Sequence, residues 1–250
     1  MAIDDFNRIE VIFYGKQRTV LVSRLGDRPV MLLHEIYGVS TKLVNFARII
    51  AGAGFKVYMP VLYGAPIPEG GGTIDRAKRI FEFLCVAREF RVLASDESGP
   101  WTPWLRKLLA QACTECHAKG AGVIGLCLTG NFALSTACDP QVLAPVLGEP
   151  SLPFWPADGL HVAVEELVEI KRRINDEGLP VRAYRYATDT ICKAERFAKL
   201  QTELGPGFRG TTIPANQKVH SVFTEDLCDE SGRPRHDKIQ EVIAFLKEKL

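Results

Sequence analysis

One cysteine stands apart by what surrounds it. Gly125-Leu126-Cys127-Leu128-Thr129-Gly130 closes a fully apolar run, Ala121–Leu126, and opens a stretch of small residues, Asn131–Ala137. A nucleophile placed in this way, with small neighbours between strand and helix, sits on a sharp bend that exposes its reactive atom. The bend also aims a helix N-terminus at the nucleophile, which lowers a thiol's pKa and favours negative charge at the reacting centre. The pattern departs from G-x-nucleophile-x-G at one place: Thr129 holds the second small position and Gly130 comes one residue later. The plainer alternative is a buried strand-end cysteine that packs as a small hydrophobe.

Attack on a carbonyl needs oxyanion donors and a base. His34-Glu35-Ile36-Tyr37-Gly38 follows the apolar run Pro29–Leu33. The main-chain N–H of Ile36, together with that of Leu128, the residue after the nucleophile, is the expected oxyanion hole. Further along, Asp189 follows the strand expected at Val181–Tyr186, and His220 follows a last strand expected at Thr212–Val219. That is the order of nucleophile, acid and histidine used by α/β-hydrolases. His161, read as helical, and His236, near the start of the final helix, are the other histidines downstream of Cys127. Asp226 and Asp229 come after His220 and break the order, although they are close enough in sequence to compete.

The rest of the chain alternates short apolar runs with amphipathic stretches, the pattern of an α/β fold. Ile9–Tyr14 and Arg18–Ser23, separated by Gly15-Lys16-Gln17, read as an antiparallel edge hairpin. Ser40 is placed to cap a helix whose Leu43, Phe46, Ala47 and Ile50 share one face, and Phe55–Met59 is the next strand. Tyr63–Thr73, rich in glycine with Pro66 and Pro68, reads as a long loop before a helical segment near Ile74–Phe90 and a polar break at Ser95–Pro100. Leu105, Leu108, Leu109, Ala112 and Cys116 line one helix, and Val142–Leu147 reads as a strand. Val162–Ile174 and Ala194–Leu204 read as helices, and Ile239, Val242, Ile243, Leu246 and Leu250 mark the last one. The expected architecture is a mostly parallel central sheet with an N-terminal antiparallel hairpin and helices on both faces. With no repeat or linker visible, residues 1–250 are read as a single domain.

Composition narrows the functions further. Over 250 residues, 46% are hydrophobic and 24% charged, ordinary values for a globular protein. Lys+Arg 31 against Asp+Glu 30 leaves a net charge of +1, so no general field favours nucleic acid or a membrane as a partner. No apolar run approaches the ~20 residues needed to cross a bilayer. The opening MAIDDFNRIE lacks the basic and apolar regions of a secretory signal, and the 7 cysteines cannot all pair; a reduced, cytoplasmic protein is expected. Two motifs fail in context. Gly120-Ala121-Gly122-Val123-Ile124-Gly125 fits a dinucleotide fingerprint, but it runs through a strand instead of following one. Cys113-Thr114-Glu115-Cys116-His117 fits haem attachment, but its cysteines sit near an apolar helix face and no second Cys/His pair offers zinc spacing. No cofactor and no metal are expected.

Taken together, His34-Glu35-Ile36-Tyr37-Gly38-Val39, the Cys127 elbow, Asp189 with Glu195-Arg196-Phe197, and His220-Ser221 resemble the dienelactone hydrolase family of α/β-hydrolases. The resemblance runs from about residue 29 to 223. It implies a Cys127–His220–Asp189 triad that hydrolyses a lactone or small carboxylic ester through an acyl-enzyme; a monomer or small homo-oligomer is expected. It also implies that Glu35 modulates the thiol, holding it at rest and yielding it to the histidine when substrate arrives. Where that family's dienelactone-hydrolysing members carry an arginine for a substrate carboxylate, four residues after the histidine, this chain has Thr224. A hydroxyl does not replace a bidentate guanidinium. The rival readings are a binding protein that keeps the fold without the chemistry, and a thiol protein responding to oxidants through Cys113 and Cys116.

Overall fold

The computed structural model describes residues 3–13, 15–63, 101–227 and 236–250. The expected loop from Tyr63 to Thr73 (beyond Tyr63 itself), the helix near 74–90 and the break at 95–100 lie outside these residues.

The N-terminal hairpin forms where it was expected. β1 (Phe6–Phe13) and β2 (Lys16–Ser23) pair antiparallel from Phe6↔Ser23 to Phe13↔Lys16. β2 then pairs antiparallel with β4 (Phe55–Pro60), which lies parallel to β3 (Arg28–Leu33). β5 (Ala121–Leu126), β6 (Val142–Gly148), β7 (Val181–Tyr186) and β8 (Phe208–Ile213) complete an eight-stranded sheet in the order β1-β2-β4-β3-β5-β6-β7-β8. Strands β3 to β7 are buried almost throughout, as parallel strands covered on both faces must be.

Two apolar layers account for that burial. α1 (Thr41–Gly52) and α6 (His236–Lys249) cover one face with Leu43, Phe46, Ile50, Ile239, Val242 and Leu246. α2 (Trp101–Glu115), α3 (Gly130–Thr136), α4 (Val164–Glu177) and α5 (Ala194–Leu204) cover the other with Trp101, Leu105, Phe132, Ile170 and Leu200. Ser40 caps α1 as expected, its hydroxyl accepting the Leu43 N–H at 3.2 Å. Such a cap is worth about 1 kcal/mol.

The end of the sheet differs from expectation. The last strand is Phe208–Ile213, not Thr212–Val219. Gly205-Pro206-Gly207 forms a 3-10 turn directly after α5, so the chain turns into the sheet early. Pro214 has no N–H to continue the ladder, and β8 parts from β7 at Tyr186↔Ile213. His220 is therefore carried on a loop seven residues past the strand. His161 also lies outside the helix expected for it, since α4 begins at Val164.

Candidate active site

The carboxyl ends of β3, β5, β6 and β7 fall along one edge of the sheet, with Leu33 level with Gly125 and Leu126 level with Gly148. Open α/β sheets form their sites at this edge. Cys127 leaves β5 with φ 56°, a left-handed conformation that non-glycine residues adopt only when their surroundings enforce it. A Cβ on Gly125 would meet the Thr129 carbonyl oxygen at 2.0 Å, so only glycine lets the bend close. Thr129, the departure from the usual pattern, helps to close it. Its hydroxyl donates to the Leu126 carbonyl at 2.9 Å and accepts the Leu126 N–H at 2.8 Å.

The segment after β3 is equally constrained. Glu35 to Gly38 form a turn, with the Gly38 N–H donating to the Glu35 carbonyl at 2.9 Å and Gly38 at φ 72°. His34 is buried, and its Nε2 accepts the Leu62 N–H at 3.0 Å. That leaves Nδ1 protonated, to donate to the same Glu35 carbonyl at 2.8 Å. The Tyr63 hydroxyl donates to it as well, at 2.9 Å. Three donors thus fix the plane of the Glu35–Ile36 peptide. The Ile36 N–H, opposite that carbonyl in a trans peptide, is fixed with it.

Asp189 and His220 meet above the edge. Asp189 Oδ1 accepts the N–H groups of Ile191 and Cys192 at 2.8 and 3.0 Å, which orients the carboxylate. Its Oδ2 takes the His220 Nδ1–H at 2.7 Å. The other ring nitrogen, Nε2, is buried and has no hydrogen-bond partner of normal geometry among the described residues. Burial works against the imidazolium, but the Cys127 thiolate and the Asp189 hydrogen bond outweigh it and raise the His220 pKa far above its usual value.

Asp226, the out-of-order candidate acid, has another task. Its Oδ2 accepts the main-chain N–H groups of His220 and Ser221 at 2.8 and 3.0 Å. Asp229 lies outside the described residues. His161 is buried beside the Phe132 ring and does not line the cavity over this cluster. Glu35 is buried, and its carboxyl accepts the Ser221 hydroxyl at 2.8 Å and the Thr224 hydroxyl. Burial raises its pKa, with the two hydroxyls pulling the other way. Thr224, at the position where the resemblance would place an arginine, thus faces Glu35. No hydrogen bond joins Glu35 to Cys127 among those the structure shows for its carboxyl.

A cavity of about 490 Å³ opens over the site, lined by Cys127 and His220 with Ile36, Tyr37, Phe154 and Ile191. No Lys or Arg lines it among the described residues. Three of the other thiols are poor rivals to Cys127. Burial pushes Cys113 and Cys138 up to about 11 and holds Cys192 well above the usual thiol range. Glu149 and the role of Arg196 escaped the sequence reading. Glu149, wholly buried, follows Gly148 at the end of β6, the same strand-end position that singled out Cys127 and Asp189. Arg196, on α5, donates to the carbonyls of Leu152, Pro153 and Gly159 and so braces the loop that carries Phe154. Among the described residues, no group of three or more His, Cys, Asp or Glu is placed to hold a metal ion, and no helix is long and apolar enough to cross a membrane.

Solved structures with this arrangement of strands and helices are numerous. A dienelactone hydrolase from Anabaena variabilis superposes with a TM-score of 0.61 at 17% identity, over 98% of this chain and 98% of that one. The chain has the α/β-hydrolase fold. A dienelactone hydrolase-like promiscuous phosphotriesterase from metagenomic libraries superposes at TM-score 0.68 and 14% identity, over 98% of both chains. An esterase of Pyrococcus furiosus gives 0.58 at 13% identity, over 98% of this chain and 92% of that one. No family model and no curated protein matches the sequence. At the bend after β5 in this fold, the chain carries Cys127.

Proposed function

We propose that the protein is a cysteine hydrolase of the dienelactone hydrolase type, cleaving a small carboxylic ester or lactone without a cofactor. The observation that carries this reading is His220, bonded through Nδ1 to Asp189 while its Nε2 side faces the electrostatic influence of Cys127 on a strained elbow. Solved neighbours named as esterases and dienelactone hydrolases support the reaction class.

In the first half-reaction the Cys127 thiolate attacks the ester carbonyl, forming a C–S bond and moving the carbonyl electron pair onto oxygen. The N–H groups of Ile36 and Leu128 receive that oxyanion, and the locked Glu35–Ile36 peptide needs no reorganisation to do so. The His220 imidazolium gives its proton to the departing alkoxide as the C–O bond breaks. In the second half-reaction His220 takes a proton from water, the hydroxide adds to the thioester, and the thiolate leaves with the acid as product. Asp189 keeps the ring in the one tautomer and orientation that serves both steps. The resemblance implies that Glu35 holds the thiol at rest; its carboxyl instead accepts the Ser221 and Thr224 hydroxyls, so its effect on Cys127 in this reading passes through the turn that carries His220.

Cys127→Ala should lower kcat/KM for p-nitrophenyl acetate by at least ~10³-fold, with the circular dichroism spectrum and thermal unfolding unchanged. Wild-type turnover in that variant would overturn the assignment.

A further inference from the structure

Glu149 is an expensive residue for its place. It is wholly buried, holds φ 36°, and its own N–H donates to the Tyr184 carbonyl at 2.7 Å. An apolar side chain would fill such a site without desolvating a carboxyl group. Its Oε2 accepts the Val222 N–H at 3.0 Å, and its Oε1 has no partner among the described residues. Among the described residues no Lys or Arg pairs with it; the charged neighbours it feels are Glu35, His220 and Asp189. Burial first and the nearby Glu35 second hold its pKa well above the carboxylate range.

What it accepts from matters. Val222 is two residues after His220, and between them Ser221 donates its hydroxyl to Glu35. Thr224 donates to Glu35 as well. The turn following His220 is thus hung on two buried carboxyl groups, one from the end of β3 and one from the end of β6. We infer that Glu149 is a positioning residue: through Oε2 it anchors the turn after His220 and, with Glu35, sets where the imidazole stands against Cys127. The inference rests on the cysteine-hydrolase reading for its turnover measurement.

Two variants separate the acceptor from the charge and from bulk. Glu149→Leu keeps the volume and removes the acceptor; Glu149→Gln keeps a carbonyl oxygen for Val222 and removes any charge. The readouts are p-nitrophenyl acetate kinetics and the pH profile of Cys127 alkylation by iodoacetamide, the labelled residue being identified by mass spectrometry. In folded Glu149→Leu, kcat should fall about 10- to 100-fold while KM stays within about twofold, the signature of a misplaced catalytic group. The alkylation midpoint should rise by about one pH unit as the thiolate loses its imidazolium partner. Glu149→Gln should restore kcat to within about fivefold of wild type and return the midpoint to its wild-type value. Wild-type kcat and midpoint in folded Glu149→Leu would overturn the inference. So would a Gln variant as impaired as the Leu variant, since charge would then be what counts. If Glu149→Leu does not fold, Glu149→Asp, with its acceptor withdrawn by one methylene, should show a smaller loss of kcat and the same direction of midpoint shift; an unaltered Asp variant overturns it. The cysteine-hydrolase reading fails separately, through turnover that persists in Cys127→Ala, and the alkylation profile still tests Glu149 in that event.

Discussion

Two loops frame the cavity and are held by opposite means. The loop after β6 hangs from one cation: Arg196, 1% exposed, gathers the carbonyls of Leu152, Pro153 and Gly159. The turn that carries His220 hangs from anions and acids: Asp226 takes the amides of His220 and Ser221, Glu149 that of Val222, and Glu35 the hydroxyls of Ser221 and Thr224. A guanidinium stays charged over the whole working range of pH, whereas burial raises the pKa values of the Glu35 and Glu149 carboxyl groups. The wall of the cavity is thus fixed by a bond indifferent to pH. The turn that carries His220 is fixed in part by groups whose protonation is tied to their burial.

The most damaging way to break this contrast is at the arginine. Arg196→Met leaves three carbonyls without their donor and should cost about 3–5 kcal/mol, read as a lower urea midpoint, by the same amount at pH 5 and pH 8. A cost that changed strongly with pH would remove the distinction. Next comes the titration itself. For Glu149 the folded pKa lies above the unfolded one, so between the two values the folded state binds the extra proton and stability falls as pH rises; the contribution is complete only below about pH 4.5. Glu149→Gln should abolish that slope, moving stability in the variant's favour relative to wild type by up to about 1.4 kcal/mol per pH unit above that point. A difference that stayed flat from pH 5 to 8 would show that the group does not titrate with unfolding.

Smaller still, Thr224→Val keeps the shape but withdraws one hydroxyl from Glu35. It should cost about 1–2 kcal/mol, with a loss of kcat exceeding any change in KM. The weakest tie of the turn is exposed: Lys42 Nζ donates to the Glu225 carbonyl at 2.9 Å and lies 3.2 Å from its carboxylate. Lys42→Ala should lower stability by less than about 0.5 kcal/mol, and 1 M salt should erase the difference.

How far the sequence reveals this site depends on where each residue sits relative to a strand. Cys127 follows the unbroken apolar run AGVIGL, and Asp189 follows VRAYRY, where Val, Ala and Tyr mark a strand despite Arg182 and Arg185, so their strand-end positions are legible. Glu35 was legible by the same logic. His220 was found by chain order, although the strand before it was misplaced: β8 is an edge strand, FRGTTI, with half of its residues exposed, and carries no apolar signature to mark it. Glu149 satisfies the same strand-end rule, but an acidic residue before Pro150 reads as ordinary loop until its burial is seen. Thr224 and Arg196 act across 189 and up to 44 positions of sequence, and no local pattern encodes contacts of that kind.

Arg196 has one more consequence, for how the protein can change. Its three acceptors are all main-chain oxygens, which every residue type supplies alike, and between them stand Phe154, 48% exposed, and Trp155, 84% exposed. The side chains that face solvent and cavity are therefore separate from the atoms that hold them in position. Replacements at 154 and 155 alter what an incoming molecule meets and leave the frame intact, which makes this short stretch the place where new substrate preferences can be acquired at little cost to the fold.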